Sequence, residues 1–403
     1  MGTRGDVQPF AVLGKALQAR GHEVILSTAK NFASFVQSYD LPFAPVEADF
    51  QEILNSPEGK KMMSNPFSAR KHLNRLIFPM IIDSLNTFHK VSSECDCVLF
   101  HVKAMADFFA DELDATFIKT NVVPAMEPTS EFVNPVFSSF HLPKALNRMS
   151  YKLSELGMKM MSKPINDFRK SLSLPAKFKK KEMPSIYGIS RLFLDQPKDF
   201  PSNSHFTGFW MDENEIELDK STLDFLEKGE PPILFTLGSM PFESPLDFPS
   251  VLNELSNTIG IRIIVIKGWG FHNTSLLEQN PNILVLNSAP YQKLFPRVKA
   301  IIQHGGIGTI ASCLRAGKPF LTCPVLYPLG DQYFWGDVAF KKGLGLKPIP
   351  LKKLSEELLL SQVQELISRE DLHHNAMTLS TKLASENGIE NAIKLIETYS
   401  KET

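Results

Sequence analysis

Short apolar runs alternate along the first half of the chain with segments whose apolar residues recur at helical spacing. Residues 9–20 carry the helical pattern, and the strand-like run 23–27 follows them. Two further apolar runs, at 97–101 and 116–120, enclose a helical stretch at 104–113. This alternation predicts βαβ units and a parallel sheet, and therefore an α/β fold.

The second half repeats the pattern with stronger strands. Apolar runs are found at 233–236, 261–266, 283–286, 300–303 and 320–323. A stretch rich in Pro, Ser and Asn without periodicity separates the halves and predicts a linker. The sequence therefore predicts an N-terminal domain at 1–195, a linker at 196–204, a C-terminal domain at 205–384 and a final helical segment at 385–403.

Composition narrows the class of protein. The 403 residues are 43% hydrophobic and 22% charged, which is typical of a soluble globular protein and excludes disordered and fibrous classes. Lys and Arg number 43 against 44 Asp and Glu, so the net charge is −1. Without a basic field, nucleic acid is not an expected partner.

Targeting signals and cysteines bear on the compartment. The four cysteines are too few for a disulfide framework and lack zinc-site spacing. The sequence has neither an apolar run of about 18 residues nor a signal peptide, so we expect a cytoplasmic protein. The lysine-rich run 177–181 is interpreted as a solvated surface or as a peripheral contact with anionic membrane; both interpretations stay open.

The strongest motif is the glycine-rich segment 303–311, which follows a strand and opens a helix. Its glycines let backbone N–H groups approach a ligand, and a helix N-terminus favours a phosphate. Gly306, Gly308 and Ala311 match the dinucleotide fingerprint of an oxidoreductase. The loop lies late in the chain, however, and His304 adds a donor which that fingerprint does not need, so a mononucleotide phosphate is favoured.

Several motifs together resemble the sterol 3-β-glucosyltransferases and related nucleotide-sugar glycosyltransferases. They follow the order and spacing of that family over nearly the whole chain. The segments are 2–9, 207–210, 237–240, 304–309, 314–319 and 330–337. The resemblance implies a GT-B fold, in which two Rossmann-like doubly wound parallel-sheet domains face each other across a cleft. The C-terminal domain would bind the donor and the N-terminal domain the acceptor, and the last helix, within 385–403, would cross back onto the N-terminal domain.

The resemblance also implies roles for individual residues. The diphosphate of a UDP-sugar would be held at the glycine-rich loop, and two polar residues would bind the sugar hydroxyls. The proposed donor-binding residues are Gly5, Ser239, His304, Gly306, Gly308 and Thr309 for the nucleotide diphosphate, with Asp331 and Gln332 for the sugar. Alternatively, Asp331 and Gln332 are simply turn residues.

Asp6 is the candidate catalytic base, because it occupies the position where related plant enzymes carry a catalytic His. A carboxylate there could take the proton of an acceptor hydroxyl. We expect direct displacement with inversion, since the sequence offers no second carboxylate as nucleophile. No metal and no cofactor besides the UDP-sugar co-substrate are expected. The alternative is that Asp6 only caps a helix beginning near Pro9.

Three departures from the family pattern are evident. The family places a strand directly before the 2–6 segment, so we expect a missing N-terminal segment of about 8–12 residues. The loop at 289–292 differs from the family sequence at the place where the nucleotide base would bind, so the sequence supports uracil as the base less strongly. The 323–330 loop is about two residues longer than in the family. Ser312 lies where plant secondary-metabolite enzymes have a ribose-binding Glu, which agrees better with the sterol and bacterial lineage and leaves the ribose contact unassigned.

The sequence thus predicts a metal-independent, inverting transferase that moves a hexose from UDP-glucose to a hydroxyl of a sterol, lipid or polyketide. Apolar segments at 132–137 and 146–161, with Met126 and Phe140, are candidate walls of the acceptor pocket or ordinary core. The alternative function is a non-catalytic nucleotide-sugar binder, or a truncated relative. A dinucleotide-dependent oxidoreductase is disfavoured, because it rests on the glycine pattern alone.

Overall fold

The computed structural model describes residues 4–47, 77–159, 161–175, 181–211, 216–238, 244–268 and 273–401. The strands are β1 (Leu26–Ala29), β2 (Phe43–Val46), β3 (Cys97–Phe100), β4 (Thr116–Asn121), β5 (Ser185–Tyr187), β6 (Ser204–Phe206), β7 (Ile233–Thr236), β8 (Ile263–Ile266), β9 (Ile283–Leu286), β10 (Ile301–Gln303) and β11 (Phe320–Thr322). The helices are α1 (Arg4–Ala19), α2 (Ala33–Gln37), α3 (Phe78–Ser92), α4 (Asn147–Lys159), α5 (Ser162–Ser171), α6 (Lys220–Glu227), α7 (Phe248–Ile259), α8 (Ser275–Glu278), α9 (Tyr291–Leu294), α10 (Ile307–Arg315), α11 (Gln332–Lys341), α12 (Glu356–Ser368), α13 (Glu370–Leu383) and α14 (Gly388–Lys401).

The C-terminal half is built on one parallel sheet with the strand order β11-β10-β7-β8-β9. Every residue of β7 and β8 is buried, as expected for aliphatic strands covered by helices on both faces. The strands predicted at 233–236 and 283–286 are confirmed, and the other three begin or end within two residues of their predicted bounds. All five strands direct their carboxyl ends to one edge of the sheet, where ligands bind in folds of this kind.

The N-terminal half contains two parallel sheets. β1 pairs with β2, and a second sheet has the order β3-β4-β5-β6. Within the described residues no strand connects β1 to β3, and a groove lined by residues of both strands lies between them.

Some predictions for the N-terminal half were wrong in type or position. The 104–113 stretch is not an α-helix but two short 3₁₀ turns, because Met105 adopts a left-handed conformation with φ of 52°. The first strand lies at 26–29 instead of 23–27, because it forms where it can pair with β2. β2, β5 and β6 were missed, since three or four residues are too few to show a period.

The chain passes between the halves at two places. β6, at Ser204–Phe206, pairs with β5 and so extends the N-terminal sheet past the predicted linker; the division into domains at 195 and 205 stays a prediction. The last helix, α14, packs Ala392, Ile393 and Ile396 against residues of α1 and the N-terminal sheet. The chain therefore returns to its N-terminal half, which the sequence analysis left as an expectation.

Shortening the buried side chain of Ile393 should weaken the packing of α14 on the N-terminal half. Ile393 is 2% exposed, so we expect Ile393→Ala to lower the free energy of unfolding by about 2–4 kcal/mol through lost burial and a residual cavity. Chemical denaturation measures this difference. Lys394→Ala, on the exposed face of the same helix, is the matched control and should change it by less than about 0.5 kcal/mol. Equal effects of the two substitutions would contradict the packing described.

Candidate active site

Charged groups from the two halves interact across the cleft between them. Asp331, from the C-terminal half, is half-buried, and this partial loss of solvent raises the pKa of its carboxyl group. The Lys103 ammonium lowers that pKa and the Asp6 carboxylate raises it further, so both lie within electrostatic reach. Three groups that are distant in sequence thus converge on one site.

Asp6 lies in the first turn of α1, which begins at Arg4. Its Oδ1 accepts a hydrogen bond of 2.6 Å from Nζ of Lys103, and Nε2 of His101 lies 3.9 Å from the same oxygen. The alternative in which Asp6 caps a helix beginning near Pro9 is wrong, because Pro9 lies inside the helix. The Asp6 side chain is 18% exposed, so it is held in place but can still be reached.

His101 follows β3 directly and lies next to Asp6. Its Nδ1 accepts a hydrogen bond from the backbone N–H of Lys103, which leaves the ring proton on Nε2, the atom that faces Asp6. Burial lowers the pKa of His101 to about 3, the Lys103 charge adds to this, and the Asp6 charge opposes it. The imidazole is therefore neutral near pH 7 and cannot form an ion pair with the carboxylate.

His304 fits into a space cleared by two glycines. It follows β10, and its ring lies beside Gly238 at the end of the neighbouring strand β7. A Cβ atom would lie 2.6 Å from the ring at Gly238 and 2.5 Å from Nε2 at Gly306. Burial lowers the pKa of His304 to about 4, so the ring is neutral near pH 7. Its Nδ1 is buried and has no protein partner among the described residues.

The N-terminus of α10 presents backbone N–H groups next to His304. Gly306 is the residue before the helix, and no side chain caps the helix there. Gly308 is exposed, with nothing within 4 Å of a Cβ placed on it, whereas Thr309 is buried. The Gln303 side chain holds the turn, since its Oε1 accepts from the N–H of Gly305 at 2.5 Å. This arrangement can accept a phosphate group.

Asp331 and Gln332 differ in what their side chains contact. Oδ2 of Asp331 accepts a hydrogen bond of 2.9 Å from Nε1 of the buried Trp335. Oε1 of Gln332 accepts from the N–H groups of Val325 and Leu326, at 2.8 and 2.9 Å. Gln332 thus fixes the long 323–331 loop, and Asp331 is the one of the two whose charge interacts with groups across the cleft.

Comparison with known protein families agrees with this geometry. The model of the family described as UDP-glucoronosyl and UDP-glucosyl transferase matches residues 178–390, more than half of the chain. The chain belongs to this family. The glycosyltransferase family 28 N-terminal domain matches residues 1–132. The resemblance expected from the motifs is confirmed.

Individual relatives agree. The chain is 30% identical to a sterol 3-beta-glucosyltransferase of Arabidopsis thaliana, over 98% of this chain and 66% of the relative. It is 28% identical to O-mycaminosyltylonolide 6-deoxyallosyltransferase of Streptomyces fradiae, over 100% of this chain and 96% of the relative. It thus spans slightly less than two thirds of the plant relative and nearly all of the bacterial one.

Solved structures support the fold. The glycotransferase of kitacinnamycin matches with a TM-score of 0.73 at 17% identity, over 98% of this chain and 96% of that one. The glycosyltransferase SnogD from Streptomyces nogalater matches with a TM-score of 0.66 at 19% identity, over 98% and 97%. The GT-B fold predicted for this UDP-glucosyl transferase family member is confirmed.

In this family member the structure gathers most of the predicted site residues around the cleft. They are Asp6 on one side and His304, Gly306, Gly308, Thr309 and Asp331 on the other. Gly5 lies on the exposed first turn of α1, and Ser239 lies outside the described residues, directly after Gly238. Their roles in binding stay predictions.

Sequence reasoning missed His101 and Lys103. His101 was noted only as the end of an apolar run, although a polar residue directly after a parallel strand was a usable signal. Lys103 carried no signal, because 97 residues separate it from Asp6. Gly238 lay in a recognised motif, but its use in making room for His304 could not be read from the sequence.

The acceptor-side segment 132–141 packs directly on the donor half. The N–H of Gly330 donates to the carbonyl of Val136 at 3.1 Å, and the ring of Phe132 lies 5.3 Å from that of Phe334. Met149, Leu153 and Leu156 of the 146–161 segment are about half exposed, so they are not core residues, and the pocket wall predicted along this segment stays a prediction.

The described part of the chain also bears on metal binding and on membrane insertion. Its His, Cys, Asp and Glu residues form no group of three or more that could hold a metal ion. Among its helices, none combines the length and the apolarity that crossing a bilayer requires. The lysine-rich segment 177–180 lies outside the described residues, so the compartment and the contact predicted there stay predictions.

A methyl group at Gly306 should displace His304. The backbone of Gly306 has φ of −65° and ψ of 131°, which alanine adopts freely, so only the contact with the imidazole matters. We expect Gly306→Ala to lower the free energy of unfolding by about 1–3 kcal/mol and to weaken UDP binding in calorimetry. Gly308→Ala is the matched control for stability, because its methyl group meets open space. A stable Gly306→Ala protein would contradict the close packing.

The buried neutral histidines should make stability depend on pH. The unfolded chain protonates histidine near pH 6.5, whereas His304 in the folded protein does so near pH 4. Stability is therefore full above about pH 6.5 and falls as the pH drops toward 4. Chemical denaturation at about pH 7.5 and pH 5 measures the free energy of unfolding that is lost as the pH falls. In the His304→Asn variant this loss should be smaller than in the wild type by up to about 2 kcal/mol. The exposed His374→Asn variant should retain the wild-type dependence, and equal slopes in all three proteins would overturn this assignment.

Proposed function

We propose that this chain transfers a hexose, glucose from UDP-glucose, to a hydroxyl group of a hydrophobic acceptor, with inversion and without a metal ion. The observation that carries the proposal is the convergence of Asp6 from one half with Asp331 and the α10 N-terminus from the other. The names of the relatives support a glycosyl transfer, with a sterol as acceptor in the Arabidopsis protein. The acceptor class of this chain is therefore hydrophobic in our proposal.

In the proposed reaction the acceptor hydroxyl attacks the anomeric carbon while Asp6 takes its proton. The new glycosidic C–O bond forms as the bond between that carbon and the diphosphate oxygen breaks, and UDP leaves with the electron pair. A general base of this kind contributes about 10²- to 10⁴-fold to the rate. Lys103 and His101 hold the Asp6 carboxylate in place.

Charge on the departing diphosphate is stabilised by the donor half. The N–H groups at the start of α10 and the positive end of the helix dipole face the phosphate position. His304 contributes a hydrogen bond from its neutral ring. Asp331 accepts hydrogen bonds from sugar hydroxyls, and Gln332 holds the loop that carries it.

A second candidate is a nucleotide-sugar binder without transferase activity. The Lys103 ammonium bonds Oδ1 of Asp6 at 2.6 Å, and a carboxylate held in an ion pair is a weaker proton acceptor. In that case the donor half would bind UDP-sugar, and no acceptor would react. The two candidates differ only in turnover, so they are separated by one assay.

Asp6→Asn should abolish transfer and leave donor binding intact. The amide keeps the shape of the side chain but cannot take a proton, so we expect kcat to fall at least about 100-fold. UDP release from UDP-glucose with sterol, lipid and polyketide acceptors measures kcat, and calorimetry measures the UDP Kd.

The same change at the exposed Asp83 of α3 is the control and should leave both quantities unchanged. UDP binding without turnover in the wild-type chain across the acceptors would favour the binder. Wild-type turnover that persists in Asp6→Asn would exclude Asp6 as the base, and absence of UDP binding would exclude both candidates.

A further inference from the structure

Helix α4 is packed with its polar side inward. Asn147, Ser150 and Tyr151 are only 1–3% exposed, although two of them are short polar residues. Amphipathic helices in globular proteins normally bury their apolar face. The reversed orientation of α4 therefore needs an explanation.

Hydrogen bonds fix α4 in this orientation. The hydroxyl of Ser150 accepts from the backbone N–H of Asn134 at 2.8 Å, and that of Ser154 accepts from Nδ2 of Asn134 at 3.2 Å. Nδ2 of Asn147 donates to the carbonyl of Ser130 at 2.8 Å. Rotating the helix to bury its apolar residues would break these bonds and leave polar groups unpaired, so the orientation is specified by the sequence.

The outward side of α4 carries an apolar stripe, which we call the α4 outer stripe and define as Met149, Leu153 and Leu156. These residues lie at positions i, i+4 and i+7, so they share one helix face. Their exposed fractions are 53%, 49% and 60%. Single exposed apolar residues are ordinary, but three in a row on one face indicate a surface that contacts something else.

Basic residues flank the α4 outer stripe. Arg148, Lys152 and Lys159 are exposed and lie together on one side of it, each within about a third of a helical turn of the stripe. Glu155 is the only acidic residue of α4. An apolar stripe beside a row of cations complements the surface of an anionic lipid bilayer, where the acyl boundary and the phosphate headgroups lie at successive depths.

We propose that the α4 outer stripe and its basic flank dock this protein on anionic membranes. With 13 residues, α4 lies in the plane of the interface and does not cross the bilayer. The apolar side chains enter the headgroup boundary while Arg148, Lys152 and Lys159 contact lipid phosphates. This inference goes beyond the proposed function, because docking does not require sugar transfer.

The position of α4 would bring a bound membrane close to the segment assigned to the acceptor. The chain segment just before α4, at 132–141, contacts the donor half through Val136 and Gly330. A bilayer bound at α4 would therefore lie next to the chain segment 132–137, which the sequence analysis names as a candidate wall of the acceptor pocket.

Vesicle sedimentation of the full chain tests the proposal. We expect binding to vesicles that contain phosphatidylserine to be at least about tenfold tighter than binding to phosphatidylcholine vesicles, and to weaken as salt is raised. Replacing the stripe with glutamine (Met149→Gln, Leu153→Gln and Leu156→Gln) should reduce binding at least about tenfold. Reversing the flank (Arg148→Glu, Lys152→Glu and Lys159→Glu) should remove the preference for phosphatidylserine.

Ile216→Gln with Leu276→Gln is the matched control, since both residues are exposed and apolar but lie in the C-terminal half. This variant should bind vesicles like the wild type. Calorimetric UDP binding checks that each variant is folded and reports on the donor site independently of docking.

Two results would overturn the proposal. The first is unchanged vesicle binding in both α4 variants. The second is a concentration-dependent dimer, seen by analytical ultracentrifugation, that the glutamine variant abolishes, because the stripe would then join two copies of the chain. A wild-type protein that docks without transferring sugar would leave docking standing and would contradict only the proposed function.

Discussion

The packing of α14 on the N-terminal half sets the geometry of the cleft. Glycosyl transfer needs groups from two separate sheets within reach of one bond, and a single linker would leave their separation undefined. Gly388 lets the chain pass so close to the carbonyl of Phe209 that a Cβ there would lie 2.4 Å from it. Glu386 accepts a hydrogen bond from the N–H of Phe209, and Arg20 pairs with Glu390. This return of the chain adds a second connection between the halves beside the linker.

The C-terminal half was predictable because its strands are buried on both faces. A fully buried strand such as β8 reads as a continuous aliphatic run, and the glycine-rich turn after β10 is a local pattern. The helix predicted at 104–113 was wrong for the opposite reason. Its apolar spacing permits a helix, but the short path between two parallel strands and the left-handed Met105 interrupt it. Tertiary constraints of this kind cannot be seen in a window of ten residues.

Some residues of the candidate site could likewise be predicted from the sequence, and others could not. His304, Asp6 and Asp331 could be named from motifs, since each lies in a segment whose order and spacing are distinctive. Lys103 could not, because its bond with Asp6 is made only when α1 and the turn after β3 come together. Nor could the orientation of α4 be predicted. Its pattern identifies a helix with two unlike faces, but only the hydrogen bonds to Asn134 determine which face is inside.

Asn134 therefore connects α4 to the segment that contacts the other half. Its backbone N–H and side-chain amide hold Ser150 and Ser154 of α4, while its Oδ1 accepts from the N–H of Val136 at 3.1 Å. The carbonyl of Val136 in turn receives the N–H of Gly330, the residue before Asp331. Four hydrogen bonds thus link α4 of one half to the 323–331 loop of the other. A displacement of α4 would therefore shift the 323–331 loop, which carries Asp331.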